Sequence, residues 1–269
     1  MVNDTYQPYQ ENTNQPEELK NEILRDRLGY EDVGFDAAKF TLAGFALYIG
    51  QSLFASFISM IVTLIIKSTG NIPHEANIDT FSSLLGGMIC VVLFFVVISK
   101  EVKYIFKKFL VGETWAKVLK YVGIMYGAIM VYSLFISLLG VQSSSANQDS
   151  INAMMFLTPF MTGLYVCILA PFIEELTFRF CFFRAIGRKN EKVAFWVIAC
   201  IFAGIHLLMS IATGTFLADL SSFPVYLIGG IGLTYAYYKE KDIAVSIGTH
   251  FLYNTISFLL NLITIFCFI

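Results

Sequence analysis

Apolar residues are concentrated in long segments, separated by short polar loops. A membrane-spanning helix needs about 20 mostly apolar residues. The segments that fit are roughly 41–66, 82–99, 118–140, 153–174, 193–212, 223–238 and 243–269. The fourth is expected to continue as a helix to about residue 187, and the seventh is long enough for a short eighth segment after Ser257 or Asn261. The pattern predicts an all-α fold, a polytopic transmembrane bundle of 7–8 helices.

Basic residues alternate between the loops of this predicted bundle. Loops 68–81, 141–152 and 213–222 contain no Lys or Arg, whereas loops 100–117 and 239–242 contain several Lys and loop 184–192 contains both Lys and Arg. Lys and Arg are enriched in cytoplasmic loops. The alternation therefore predicts that the basic loops and the N-terminus face the cytoplasm. The chain is expected to cross the plasma membrane several times.

Composition supports an integral membrane protein. Hydrophobic residues make up 57% and charged residues 14% of the chain, whereas a soluble domain has about a quarter charged residues. We expect a polar cytoplasmic tail at 1–38 and an integral membrane domain at 39–269. The net charge of -2 implies nothing about nucleic acid, but the sequence has no basic patch with interleaved aromatic residues, so no nucleic-acid partner is expected. The five cysteines form no CxxC motif and are expected to be packing residues.

Several polar and ionisable residues interrupt the apolar segments in the second half of the chain. Ionisable groups at membrane depth are costly and indicate a functional site. These residues are Glu174, Glu175, Arg179, His206, His250 and Asn254. Their positions along the predicted helices are compatible with one common depth in the membrane, which predicts that they meet in a single site.

Helical spacing suggests how the acidic residues divide their roles. Glu175 and Arg179 are four residues apart and share one helix face, whereas Glu174 points away from Arg179. Two unpaired buried carboxylates would be very unfavourable. We therefore expect Glu175 to pair with Arg179, which leaves Glu174 as the candidate general base.

The remaining polar residues are candidates for binding water and stabilising negative charge. His250 and Asn254 are four residues apart, so an imidazole and an amide N–H could together hold an oxyanion. His206 is the candidate second partner for the attacking water. The set is thus suited to hydrolysis inside a membrane.

Other interpretations of the same residues stay open at this point. Histidine and asparagine in a span can be structural hydrogen-bonding residues, and a Glu–Arg pair can belong to a transport pathway. Zinc is also possible, with Glu174, His206 and His250 as ligands, because catalytic zinc usually takes three protein ligands. The chain has no HExxH motif. Residue types alone do not choose between zinc hydrolysis and a glutamate mechanism.

Three motifs resemble those of a known family. They are Glu174-Glu175-x-x-x-Arg179, Phe202-x-x-x-His206 and His250-x-x-x-Asn254. In order, spacing and membrane placement they are similar to the motifs of the CAAX protease and bacteriocin-processing (CPBP, Abi) intramembrane proteases, which include Rce1-type prenyl-protein endopeptidases. The resemblance covers roughly residues 150–258.

The resemblance implies an eight-helix fold and an intramembrane endopeptidase. It implies that Glu174 and His206 activate water, that His250 and Asn254 form the oxyanion hole, and that Arg179 orients the glutamates. A glutamate mechanism without a cofactor is favoured, with zinc as the alternative. The implied partners are the lipid bilayer and a membrane-anchored or lipidated peptide or protein substrate. The alternative function is a non-proteolytic membrane adaptor or bacteriocin self-immunity protein on the same scaffold.

Overall fold

The computed structural model describes residues 37–71, 75–141 and 145–268, and within these ranges the protein is helical and contains no strand. The predicted tail at 1–38 lies outside them except for its last two residues. In the first half of the chain the helices are α1 (Ala37–Ser68), α2 (Glu75–Val97), α3 (Ser99–Phe109), α4 (Gly112–Leu138) and α5 (Ala146–Leu157).

A composite helix, α6, occupies residues 159–187. Its consecutive segments are α-helical Pro159–Gly163, π-helical Leu164–Leu169, α-helical Ala170–Glu175, π-helical Leu176–Phe183 and α-helical Arg184–Gly187. Such π-helical turns are rare and occur frequently at functional sites. The helices that follow are α7 (Glu191–Ile205), α8 (Leu208–Thr213), α9 (Phe216–Asp219), a 3₁₀ turn (Leu220–Ser222), α10 (Phe223–Glu240) and α11 (Ile243–Phe268).

Six helical stretches of the described chain are long and apolar enough to cross a membrane, slightly fewer than the seven to eight predicted. The fourth predicted span, 153–174, is not one helix. It is interrupted at Thr158, whose backbone (φ -139°, ψ 60°) is not helical, because the ring of Pro159 disfavours the helical conformation in the preceding residue. In the described residues α11 runs unbroken past Ser257 and Asn261, so they contain no separate eighth segment.

The core lies around α6, which packs against α1, α2, α7 and α11. Its side chains Leu176, Phe178, Phe180 and Cys181 are all almost completely buried. By contrast, α1, α2 and α4 carry many large apolar side chains on the outer surface of the bundle. A buried core surrounded by an apolar outer surface is the arrangement expected of a multi-pass membrane protein.

Candidate active site

A fully buried ion pair lies at the centre of the bundle. Glu175 ends an α-helical segment of α6 and Arg179 lies in the π-helical segment that follows. Both side chains are completely buried, and Nη1 of Arg179 donates to Oε1 of Glu175 at 3.0 Å. The predicted pairing of these two residues is confirmed. A buried charge needs such a partner, because its transfer out of water is otherwise very costly.

Arg179 is also held from the neighbouring helix α10. Its Nη2 donates to the backbone carbonyl of Gly230 and to Oγ1 of Thr234, both at 3.2 Å. Its guanidinium carbon lies 4.5 Å from the centre of the Phe202 ring on α7. The guanidinium therefore connects α6, α7 and α10 at one point.

Glu175 holds His250 in a defined orientation. The two are joined by a hydrogen bond of 2.8 Å between Nδ1 of His250 and Oε1 of Glu175. Because a carboxylate only accepts hydrogen bonds, Nδ1 is the donor. Ser246 donates to the other carboxylate oxygen of Glu175 at 2.6 Å. Both oxygens of Glu175 are thus occupied, and the carboxylate acts on the site through His250.

Glu174 faces His250 from the other side. Its Oε2 lies 3.9 Å from Nε2 of His250, which is beyond hydrogen-bond distance. Within the described part of the chain, this buried oxygen has no hydrogen-bond partner. The two neighbouring glutamates therefore have different environments, one fully paired and one with a buried oxygen available.

His206 occupies the C-terminal end of α7. Its Nδ1 forms a 2.7 Å hydrogen bond with the backbone carbonyl of Phe202. Its ring is stacked on that of Tyr226, with the centroids 4.7 Å apart and the planes at 23°. The Phe202 ring contacts both histidines, at 4.8 Å for His206 and 5.9 Å for His250. Among the described residues no hydrogen bond joins His206 to Glu174.

Asn254 lies one turn after His250 but is bonded elsewhere. Its Nδ2 donates to the backbone carbonyl of Val166 at 2.9 Å, in the first π-helical segment of α6. This bond joins α11 to α6 and uses one of the two amide protons. The other proton stays available to a ligand.

Helix α11 presents polar side chains at every fourth position. Asp242 precedes the helix, and its Oδ1 accepts a hydrogen bond from the backbone N–H of Ala244 at 2.9 Å. Its Oδ2 lies 3.8 Å from Nζ of Lys108. Burial raises the pKa of Asp242. Ser246, His250 and Asn254 follow it at intervals of four, so one stripe of this helix supplies three polar contacts to α6.

Sequence reasoning missed the contribution of α10 and of Ser246. Tyr226, Gly230 and Thr234 are spaced by four and lie on one helix face. The sequence signal that could have revealed these residues is the recurrence of a polar or small residue at every fourth position. Gly230 also allows α10 to approach α7, because a Cβ atom there would lie 2.6 Å from the Ala199 carbonyl oxygen.

A zinc ion is the alternative occupant of this site. Among the described residues no three His, Cys, Asp or Glu side chains are grouped so that they could hold a metal ion. The assignment of Glu174, His206 and His250 as zinc ligands stays a prediction.

Comparison with known proteins assigns the part of the chain that contains the site. Residues 156–256 match the family model described as type II CAAX prenyl endopeptidase Rce1-like. The UPF0177 protein YvdC of Lactococcus lactis subsp. lactis is 25% identical over 130 residues, which are 48% of this chain and 46% of that protein, so the match spans about half of each. No solved structure matches the chain. Residues 156–256 are therefore similar to the Rce1-like family, which confirms the resemblance predicted from the three motifs.

Proposed function

We propose that the protein is an intramembrane endopeptidase that hydrolyses a peptide bond in a membrane-anchored or lipidated peptide or protein. The observation that carries this proposal is the buried network around Glu175. Arg179 and Ser246 hold its carboxylate, which fixes Nδ1 of His250 and leaves Nε2 facing the unpartnered oxygen of Glu174. A group with no partner beside a fixed imidazole is suited to acid–base chemistry.

In the proposed reaction Glu174 is the general base. A water molecule that contacts its Oε2 loses a proton to it as the water oxygen attacks the carbonyl carbon of the substrate. His206 assists, because its Nδ1–H is held by the carbonyl of Phe202 and the Nε2 of the neutral ring is then a hydrogen-bond acceptor. Glu174 afterwards returns the proton to the leaving amine as the carbon–nitrogen bond breaks, which yields a free carboxyl group and a free amine.

His250 and Asn254 are the proposed oxyanion hole. In its imidazolium form His250 keeps Nδ1–H on Glu175 and donates Nε2–H to the developing oxyanion. The second amide proton of Asn254 provides another donor. In this form the positive charges of Arg179 and His250 balance the two glutamate carboxylates. Removing one preorganised oxyanion donor typically lowers kcat by about 10²–10³-fold.

The surroundings of the site support a substrate that enters from the bilayer. The proposed reacting groups are carried by α6, α7 and α11, in a bundle whose outer faces are apolar. The distribution of Lys and Arg supports a cytoplasmic location for the basic loops and the N-terminus. The proposed location of the protein is the plasma membrane. The mechanism requires no cofactor, and activity that survives a zinc chelator is expected. Loss with chelator and recovery with zinc would favour the metal alternative.

Comparison of the termini of membrane peptides tests the proposal. Cells that express wild type or Glu174→Ala at equal levels are compared, with Glu113→Ala as the matched control because its side chain is 73% exposed and lies outside the site. Termini that appear with wild type and the control, but not with Glu174→Ala, support proteolysis and identify the substrate. Identical profiles, with the biological phenotype retained by Glu174→Ala, would favour the adaptor or self-immunity alternative.

A further inference from the structure

We infer that Tyr226 is a positioning residue whose ring holds the His206 imidazole in the plane needed for hydrolysis, and whose hydroxyl anchors that ring to the start of α5. This inference rests on the role proposed above for His206. Tyr226 belongs to none of the three motifs, and its contribution follows from the contacts of α10.

The position of His206 explains why its ring needs support. It directly follows the last residue of α7, where the regular backbone pattern ends. The next amide, of Leu207, bonds to the carbonyl of Gly204, three residues back. Helix ends are less constrained than helix interiors. Additional contacts are therefore needed to give the imidazole one orientation.

Two contacts of different kinds define that orientation. The hydrogen bond from Nδ1 to the carbonyl of Phe202, at 2.7 Å, sets the direction of one edge of the ring. The Tyr226 ring, 4.7 Å away at 23°, sets the plane. Rotation of the imidazole about its side-chain bonds would take it out of the stack and break the hydrogen bond from Nδ1. The pair of contacts together determines where Nε2 points.

Tyr226 is itself anchored by the capping residue and the first turn of α5. Its hydroxyl forms a 2.6 Å hydrogen bond with Oγ of Ser145 and accepts from Nδ2 of Asn147 at 3.3 Å. Ser145 is buried and caps α5, accepting from the backbone N–H of Gln148 at 3.2 Å. The ring that stacks on His206 is thus fixed to the N-terminal end of another helix.

A second set of hydrogen bonds joins the start of α5 to the segment that follows His206. The buried Asp219 accepts from the backbone N–H of Ala146 at 2.8 Å, from Ser210 at 2.6 Å and from Thr215 at 2.9 Å. These bonds connect the start of α5 with α8 and α9. The segment that follows His206 is therefore braced against the residues that anchor Tyr226.

Two substitutions separate the ring from the hydroxyl. Tyr226→Phe keeps the stacked ring and removes the bonds to Ser145 and Asn147, whereas Tyr226→Leu removes the ring. The matched control is Tyr235→Leu on the same helix, because that side chain is 38% exposed and contacts the Tyr121 ring rather than the site.

Nitrogen NMR of the histidine rings reports the orientation without relying on activity. The full chain contains three histidines, so a protein labelled with ¹⁵N-histidine in lipid vesicles gives few signals, which single His→Gln substitutions assign. We expect His206 to have the proton on Nδ1 in wild type, in Tyr226→Phe and in Tyr235→Leu. We expect a mixture of tautomers in Tyr226→Leu, with the His250 signals unchanged.

Kinetics with a substrate identified from the terminus comparison provide the second readout. In Tyr226→Leu we expect kcat to fall by about 10- to 100-fold with KM changed by less than about twofold, because a misplaced catalytic group affects the transition state more than binding. Tyr226→Phe is expected to give a kcat between those of wild type and Tyr226→Leu, because the stacked ring stays but its bonds to Ser145 and Asn147 are lost.

Defined results would overturn the inference. If the His206 tautomer and kcat are the same in Tyr226→Leu as in Tyr235→Leu, the Tyr226 ring does not position His206. Movement of the His250 signals in Tyr226→Leu would indicate general loss of structure instead. A wild-type protein without peptidase activity would refute the proposed function, whereas the NMR comparison would still decide whether Tyr226 orients His206.

Discussion

Removing the guanidinium of Arg179 tests the buried pair on which the candidate site is built. In Arg179→Met the Glu175 carboxylate stays completely buried and loses its countercharge. Breaking a buried pair by removing one partner costs about 3–5 kcal/mol. The carbonyl of Gly230 and the hydroxyl of Thr234 lose a donor as well. We therefore expect a loss of unfolding free energy within this range.

Cysteine exposure on heating provides the assay. Cys90, Cys167 and Cys181 are buried, whereas Cys200 and Cys267 are exposed and can be replaced by Ser. A thiol-reactive fluorescent dye then reports unfolding of the purified protein in detergent. Since 1 kcal/mol shifts Tm by about 2–4 °C for chains of 150–250 residues, we expect Arg179→Met to lower Tm by about 6–20 °C.

Two further variants decide whether the charge pair is the cause. Lys189→Met removes an exposed basic side chain of the same chain region, and we expect a change within about 0.5 kcal/mol. Glu175→Met combined with Arg179→Met removes both charges, and its cost should be smaller than the sum of the two single substitutions. Equal Tm values for Arg179→Met and Lys189→Met, or strict additivity in the double variant, would refute the reasoning.

Two other sites give predictions in the same melting assay. Gly230→Ala should destabilise the protein by about 1–3 kcal/mol through overpacking, because its Cβ would lie 2.6 Å from the Ala199 carbonyl oxygen, whereas Gly229→Ala has open space and should not destabilise it. Equal Tm values for the two alanine variants would contradict this account. Ser246→Ala removes the 2.6 Å donor to Glu175, so we expect a loss of about 1–3 kcal/mol and weaker cleavage in the terminus comparison. Wild-type stability and cleavage in this variant would show that the serine is dispensable.

The family and the ion pair could be predicted because both depend on short-range spacing. Two residues four apart share a helix face whatever the rest of the fold does, which is why the contact between Glu175 and Arg179 was predictable. The three motifs also identified the domain that the family comparison matches. The role of Glu174 as base and the metal question stay predictions, since they concern a reaction rather than a contact.

The break at Thr158 was missed although its signal is present in the sequence. Hydropathy summed over 153–174 does not register a single proline, whereas the backbone of the residue before Pro159 responds to it directly. If helix boundaries are assigned before hydropathy is averaged, Pro159 divides this segment at Thr158.

By itself the sequence determined the helical segments, the alternation of basic loops and the residues that share a face within one helix, because these depend on local composition and the period of 3.6 residues. Only the tertiary structure decided which helices meet. It placed Tyr226 on His206, Thr234 on Arg179 and Asn254 on the Val166 carbonyl. The physical reason is that helix periodicity carries no information about the rotation and neighbours of a packed helix, which are set by side-chain packing and by the need of buried polar groups for partners.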